Sequence, residues 1–283
     1  MLQSAVVDSP AAGASDAPGR GRLGVERRPS RSVVTRAFAT SPLRLLTPAN
    51  HGHAAWVYTS NYGGGLVDGD RLVLDVDVEA GATAFVSTQA STKVYRSPRG
   101  TSAELRARVG SDGLLIVAPD PVSCFAGARY RQVQRFQVAD NGALALIDCL
   151  LSGRCAAGER WAFSEYRSLI EIRLGDRLLV HDGLALRASD GDLPRRLGRF
   201  DVLAVAMVVG RALHDEAATL LAAASRYPVA RHADQIIMAS PLGEDGCILR
   251  VAGTSGEQVG CTLRHLLGFI PQRLGDDPWR RKW

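Results

Sequence analysis

The stretch Asn61–Arg96, NYGGGLVDGDRLVLDVDVEAGATAFVSTQASTKVYR, decides the fold. A glycine turn (Gly63, Gly64, Gly65) leads into a second turn, Asp68-Gly69-Asp70. From there Leu72, Leu74, Val76 and Val78 alternate with Arg71, Val73, Asp75, Asp77 and Glu79. Successive side chains of a strand point to opposite faces, so this alternation predicts a strand with one buried face. After Glu79-Ala80-Gly81-Ala82, the run Thr83–Ser87 predicts a second strand, and the pair reads as a hairpin-like unit. The unit ends in hydroxyls and an amide, Ser87-Thr88-Gln89-Ala90-Ser91-Thr92.

Outward from this stretch the pattern repeats. Leu23 and Val25, then Val33–Phe38, read as two short strands around the turn Arg27–Ser30. Downstream, strands are predicted over Ala103–Val109, Gly113–Ala118, Tyr130–Val138, Ala143–Leu151, Glu165–Leu174 and Asp176–Leu186. The breaks between them (Pro98-Arg99-Gly100, Ser111-Asp112-Gly113, Pro119-Asp120-Pro121, Asp140-Asn141-Gly142) carry ordinary turn chemistry. The continuous apolar run Phe200–Val209 suits a strand buried on both faces. Helices come late. Asp215–Arg226 is rich in alanine and leucine and stops before Pro228, and Ser255-Gly256-Glu257-Gln258 has the form of a capping box ahead of Val259, Leu263, Leu266, Leu267 and Ile270. That second helix is expected to end near Gly268, before Pro271. Residues 1–20 hold almost no large apolar side chain and read as a disordered tail, leaving residues 21–283 as a single domain.

Composition narrows the function. The 283 residues are 46% hydrophobic, enough for a substantial core, and the formal net charge is +5. Arginine supplies nearly all the positive charge and is spread along the chain, which favours an acidic protein partner over nucleic acid. No apolar run reaches the ~20 residues of a membrane span, and the N-terminus lacks a secretory pattern. The five cysteines, without CxxC spacing, fit a reducing compartment, so a cytoplasmic location is expected. The glycine turn is no phosphate loop, because Gly69-Asp70-Arg71 stands where Gly-Lys-Ser/Thr would be; nor does a helix follow it. Neither G-x-S-x-G nor H-E-x-x-H occurs.

Several residues stand out individually. His51 and His53 could ligate a metal from one side of a strand, but two nitrogens around a glycine make a weak site, and loop or core histidines are the plainer reading. Asp75 and Asp77 occupy the polar side of their strand, where a solvated face explains them; Asp68 and Asp70 fit a turn. Ser87, Thr88 and Gln89 read either as strand formers or as oxygen donors lining a wet passage for a hydrated divalent ion. Asp148 lies in the apolar run Leu144–Leu151. An isolated buried charge is too costly, so it is paired with an arginine such as Arg154 or solvated by an internal cavity.

GGGLVDGD at Gly63–Asp70 followed by STQASTKVYR at Ser87–Arg96 resembles the urease accessory protein UreD (UreH) family. Further matches fall in order: Ser41–Pro48, Pro119-Asp120-Pro121, Cys124–Ala128, Asp148, Gly153-Arg154 and Gly158–Trp161, together spanning roughly residues 20 to 190. The resemblance implies a mainly β fold of stacked, helically wound sheet layers, solenoid-like, to which the pattern adds two helices in the C-terminal quarter. It implies a non-enzymatic scaffold for nickel insertion into urease. Its expected partners are the urease apoprotein, a helical accessory protein (UreF-type) and, through the latter, a GTPase (UreG-type), with neither nucleic acid nor membrane. No tightly bound cofactor is expected; Ni²⁺ would pass transiently through an internal tunnel, with Thr88, Asp148 and Asp182 on its path by motif position. The C-terminal segment only loosely matches the family's proline-, arginine- and tryptophan-containing end. There Trp279 and Trp283 are expected as aromatic anchors for a partner, against the alternative of a frayed basic terminus. Two other classes stay open: a β-solenoid carbohydrate-active hydrolase using an acidic pair, which the 6% aromatic content disfavours, and a protein-binding scaffold with no ion passage.

Overall fold

The computed structural model describes residues 17–281. The chain opens with β1 (Gly19–Arg27), β2 (Ser32–Ala39), β3 (Leu43–Leu46), β4 (Ala55–Asn61), β5 (Arg71–Val78) and β6 (Thr83–Thr88). It continues through β7 (Thr92–Val94), β8 (Thr101–Val109), β9 (Leu114–Val117), β10 (Val122–Cys124), β11 (Arg129–Val138) and β12 (Ala143–Leu151). Then come the hairpin β13 (Glu165–Leu174) and β14 (Arg177–Arg187), helix α1 (Leu193–Leu197), β15 (Val202–Val209) and α2 (His214–Ala224). The last part is β16 (Gln235–Pro241), β17 (Gly246–Gly253), α3 (Gly256–Leu266) and α4 (Phe269–Leu274).

These strands make two sheets. The first has the order β14-β13-β11-β8-β5-β1-β2; the second runs β16-β17-β15-β12-β9-β6-β4-β3, with β7 and β10 off its path. Within the first, β1, β5, β8, β11 and β13 are all parallel neighbours; within the second, β4, β6, β9 and β12 are. Along the sequence the chain therefore alternates between sheets, and β5 and β6 do not form the expected hairpin. Glu79–Ala82 carries the chain from one sheet across to the other. The glycine turn serves a similar passage: Gly63 and Gly64 adopt positive φ, and a Cβ on Gly65 would lie 2.7 Å from the Lys93 carbonyl oxygen, so only glycine lets Leu66 pair beside β7. The architecture is mainly β, as expected, in two open mixed sheets with antiparallel strands at their edges. The regular coils of a solenoid are not seen.

Alternation explains the layers. Leu74, Val76 and Val78 of β5, with Leu23 and Val25 of β1 and Phe136 and Val138 of β11, turn inward against Val57, Val86, Leu115, Leu144 and Leu146 of the second sheet. The opposite face of that second sheet, including Trp56, Phe85, Ile116 and Ile147, is covered by Ala217 and Leu220 of α2, Val259 and Leu263 of α3, and Ile270 and Leu274 of α4. β15 lies between β12 and β17 and is buried as its apolar run predicts. There are four helices among the described residues rather than two. The predicted second helix breaks after Leu266 and resumes as α4, where Pro271 is the third residue, in the first turn, a position that needs no intrahelical N–H. Asp192 caps the short α1, and Ser255 caps α3 as the capping-box pattern predicts.

The segment His51–His53 is a loop, not a strand, and it docks on the end of α4. A Cβ on Gly52 would lie 2.2 Å from the Leu274 carbonyl oxygen, and the His51 N–H donates to Asp276 Oδ2 at 2.8 Å. Gly52→Ala is therefore expected to cost about 1–3 kcal/mol through forced backbone separation. It should also speed tryptic cleavage at Arg273. A denaturation midpoint and cleavage rate both equal to the parent's would refute this account of the clasp.

Candidate functional site between the sheets

In β12 the odd-numbered Ala145, Ile147 and Cys149 face the helices, and the even-numbered Leu144, Leu146 and Asp148 face the first sheet. Opposite Asp148, the inward residues of β11 and β13 are Tyr130, Gln132 and Gln134, and Tyr166 and Ser168. All of these are buried, and Asp148 is 6% exposed. The Gln132 amide donates to Asp148 Oδ2 at 2.7 Å, and the Ser168 hydroxyl to the same oxygen at 3.3 Å. The expected arginine pairing fails: Arg154 forms its ion pair with Glu159 and stacks on Phe125. Sequence proximity suggested Arg154, whereas strand parity aims Asp148 at Gln132 and Ser168 across the gap.

Burial pushes the Asp148 carboxyl above the usual carboxylate range; the bonds from Gln132 and Ser168 pull it back, and the charge of Asp182 adds to the rise. Burial also raises the Tyr130 and Tyr166 hydroxyls, so both stay neutral. It pushes the Cys124 and Cys149 thiols up to about 12, so both are protonated at neutral pH. The side chains that hydrogen-bond Asp148 are an amide and a hydroxyl.

Two cavities meet at this point. One, of about 410 Å³, is walled by Thr88, Gln89, Gln132 and Gln134 together with apolar side chains such as Leu74 and Val86. The other, of about 440 Å³, is walled by Asp148, Tyr166, Ser168, Asp182 and Arg250. Gln132 belongs to the first and Asp148 to the second, so their hydrogen bond stands in the partition. At the mouth of the second cavity Asp182 of β14 forms an ion pair with Arg250 of β17, tying one sheet to the other. Thr88 lies in the first cavity, with its hydroxyl donating to Asp120 Oδ2 at 3.0 Å and accepting from the Asp120 N–H at 2.8 Å. Thr88, Asp148 and Asp182 thus line one pair of adjoining cavities.

Against family models, residues 17–283 match the one described as UreD urease accessory protein. The chain belongs to the UreD family. It is 49% identical over 265 residues to the urease accessory protein UreD of Sorangium cellulosum, covering 94% of this chain and 84% of that one. To the UreD of Anaeromyxobacter sp. it is 44% identical, with 93% and 89% covered. To the urease accessory protein D of Arabidopsis thaliana it is 32% identical, with 92% and 99% covered.

The C-terminal segment of this UreD chain packs back onto the second sheet. Trp279, expected as an aromatic anchor for a partner, is half-buried and meets Phe85 edge-on, at 6.5 Å between ring centroids. Its neighbourhood is held by the Gly52 clasp, so through Arg280 the end is folded back rather than frayed. Trp283 lies outside the described residues. Among the described residues no group of three or more His, Cys, Asp or Glu side chains could hold a metal ion, and His51 and His53 join no such group. Nor is any helix among them long and apolar enough to cross a membrane. Gln132, Gln134 and Ser168 were missed in the sequence, although their signal was present. In Tyr130–Val138 the buried side alternates Tyr130, Gln132, Gln134, Phe136, Val138, and two amides on the apolar side of a strand mark a polar interior.

Proposed function

We propose that this chain serves urease maturation as a non-catalytic scaffold that binds apo-urease and its accessory proteins and passes Ni²⁺ between its sheets. The observation that carries this reading is the pair of adjoining cavities that Thr88, Gln132, Asp148 and Asp182 line. Ni²⁺ is cargo here, so no resident site is required. Hydroxyl, amide and carboxylate oxygens bind a hydrated divalent ion weakly enough to release it, whereas a cage of imidazoles or thiolates would trap it. The ion's charge would favour ionised Asp148, drawing the carboxylate from its bond with Gln132 and opening the partition. The names of the relatives, accessory proteins rather than enzymes, agree with a chain that performs no covalent step. The expected compartment is the cytoplasm, and the expected contacts are with apo-urease and a helical UreF-type protein that recruits a UreG-type GTPase.

The test is co-expression with the urease subunits and the other accessory proteins from one source, followed by size-exclusion chromatography and nickel analysis of the recovered urease. Co-elution of this chain with urease, and nickel loading that falls at least about tenfold when it is omitted, are expected. A chain that elutes alone while urease loads normally would sink the proposal.

A further inference from the structure

The arginines that look scattered in the sequence are gathered by strand parity and register onto the outer face of the first sheet. One row across the strands reads Arg22, Asp75, Arg106, Arg135, Glu171, His181. A second reads Arg36, Gly24, Asp77, Arg108, Gln137, Arg173, and a third Arg71, Ser102, Arg131, Arg167. In the first row Arg106 lies 3.9 Å from Asp75 and Arg135 bonds to Glu171 at 2.7 Å, and both arginines also meet Glu104. The second row sets one carboxylate against three arginines, and the third holds none. Among the described residues the side chains of Arg22, Arg36, Arg71, Arg108 and Arg131 make no hydrogen bond or ion pair, and all five are exposed. A shallow trough of about 700 Å³ runs through the first two rows.

We infer that this face is a docking surface for a protein partner whose facing surface is rich in carboxylates. Neighbouring strands lie about 4.8 Å apart, so the unpaired guanidiniums form a two-dimensional grid rather than a line. Each guanidinium fork can take a carboxylate through two parallel hydrogen bonds. Such a face raises the encounter rate with an acidic surface and excludes a basic one. The interleaved Asp75, Asp77, Glu104 and Glu171 decide between acidic partners. They would oppose the unbroken phosphates of a nucleic acid, whereas a folded protein can set a cation or a gap against each of them. The surface is separate from the inter-sheet cavities. Its assignment rests on the urease-maturation reading only for the choice of partners to test.

The full chain and its Arg22→Glu/Arg108→Glu/Arg131→Glu variant are co-expressed with the urease subunits and accessory proteins, with co-elution followed from about 50 to about 300 mM salt. The parent is expected to retain its partners with marked salt dependence, and the variant to lose at least one of them by about tenfold at low salt. Should the variant misfold, the corresponding glutamine triple is used, with a smaller loss in the same partner. Equal retention by parent and folded variant overturns the docking surface and leaves the urease reading standing. If the parent retains no partner, the urease reading fails. The face is then judged by polyglutamate peptide binding: binding that the variant loses supports it, and no binding overturns it. Tighter binding of duplex DNA than of polyglutamate, lost in the same variant, also overturns it in favour of nucleic acid.

Discussion

Asp148→Asn is expected to abolish most nickel loading of co-expressed urease, by about tenfold or more, while leaving the protein's association with its partners intact and raising its stability at neutral pH. The asparagine carbonyl can accept from Gln132 and Ser168 as Asp148 Oδ2 does, so the partition between the cavities keeps its shape. What disappears is the charge. The folded state raises the Asp148 pKa above its unfolded value of roughly 3.9, chiefly through burial. Between the unfolded and folded pKa the native chain therefore holds a proton that the unfolded chain has released, and stability falls as pH rises through that window. The variant escapes this loss. Its melting temperature should match the parent's near pH 3 and exceed it increasingly up to the folded pKa, then hold a constant advantage. Normal nickel loading by the variant would remove Asp148 from the proposed path. A melting advantage largest in acid would show that the carboxyl is not destabilised by burial.

Trp161→Ala is expected to cost about 3–5 kcal/mol in urea denaturation. Trp161 is 2% exposed and packs with Phe163, Tyr166, Val122 and Leu150 in a cluster at one end of the sandwich. Its indole N–H donates to the Phe200 carbonyl at 2.9 Å, so alanine leaves a cavity and removes one of that carbonyl's two donors, the Arg160 guanidinium remaining at 2.9 Å. Because Tyr166 belongs to both this cluster and the wall of the second cavity, loosening here should also lower nickel loading. A loss below about 1 kcal/mol would show that the cluster can collapse around the gap.

Strand positions were legible because alternation records which side is buried; Ala143–Leu151 and Glu165–Leu174 are found with the bounds read from sequence. Strand partners were not. Four residues, Glu79–Ala82, fit a hairpin loop and a sheet-to-sheet crossing equally well, and nothing local distinguishes β5 beside β6 from β5 beside β1 and β8. β16 and β17 were overlooked although Ile236-Ile237-Met238 and Cys247–Val251 flank a turn at Glu244-Asp245-Gly246. For the candidate site, an acid in an apolar run singled out Asp148. Its partners on β11 and β13 depended on which strands face each other, which the same missing information hides. The arginine grid was invisible for that reason too: every second residue of five separate strands means nothing until the strands are aligned.

The clasp of Gly52 with Leu274 and of His51 with Asp276 joins positions 222 and 225 residues apart. A ribosome adding about 5–20 residues per second needs on the order of 10–45 s to cover that interval. Throughout it, the side of β4 and β6 that α4 and Trp279 finally cover, with Trp56 and Phe85 at its centre, has no lid of its own. The nascent chain therefore carries a sticky aromatic surface for most of its synthesis. Yield in the cell should depend on holding chaperones and on slow expression more than on the stability of the finished molecule.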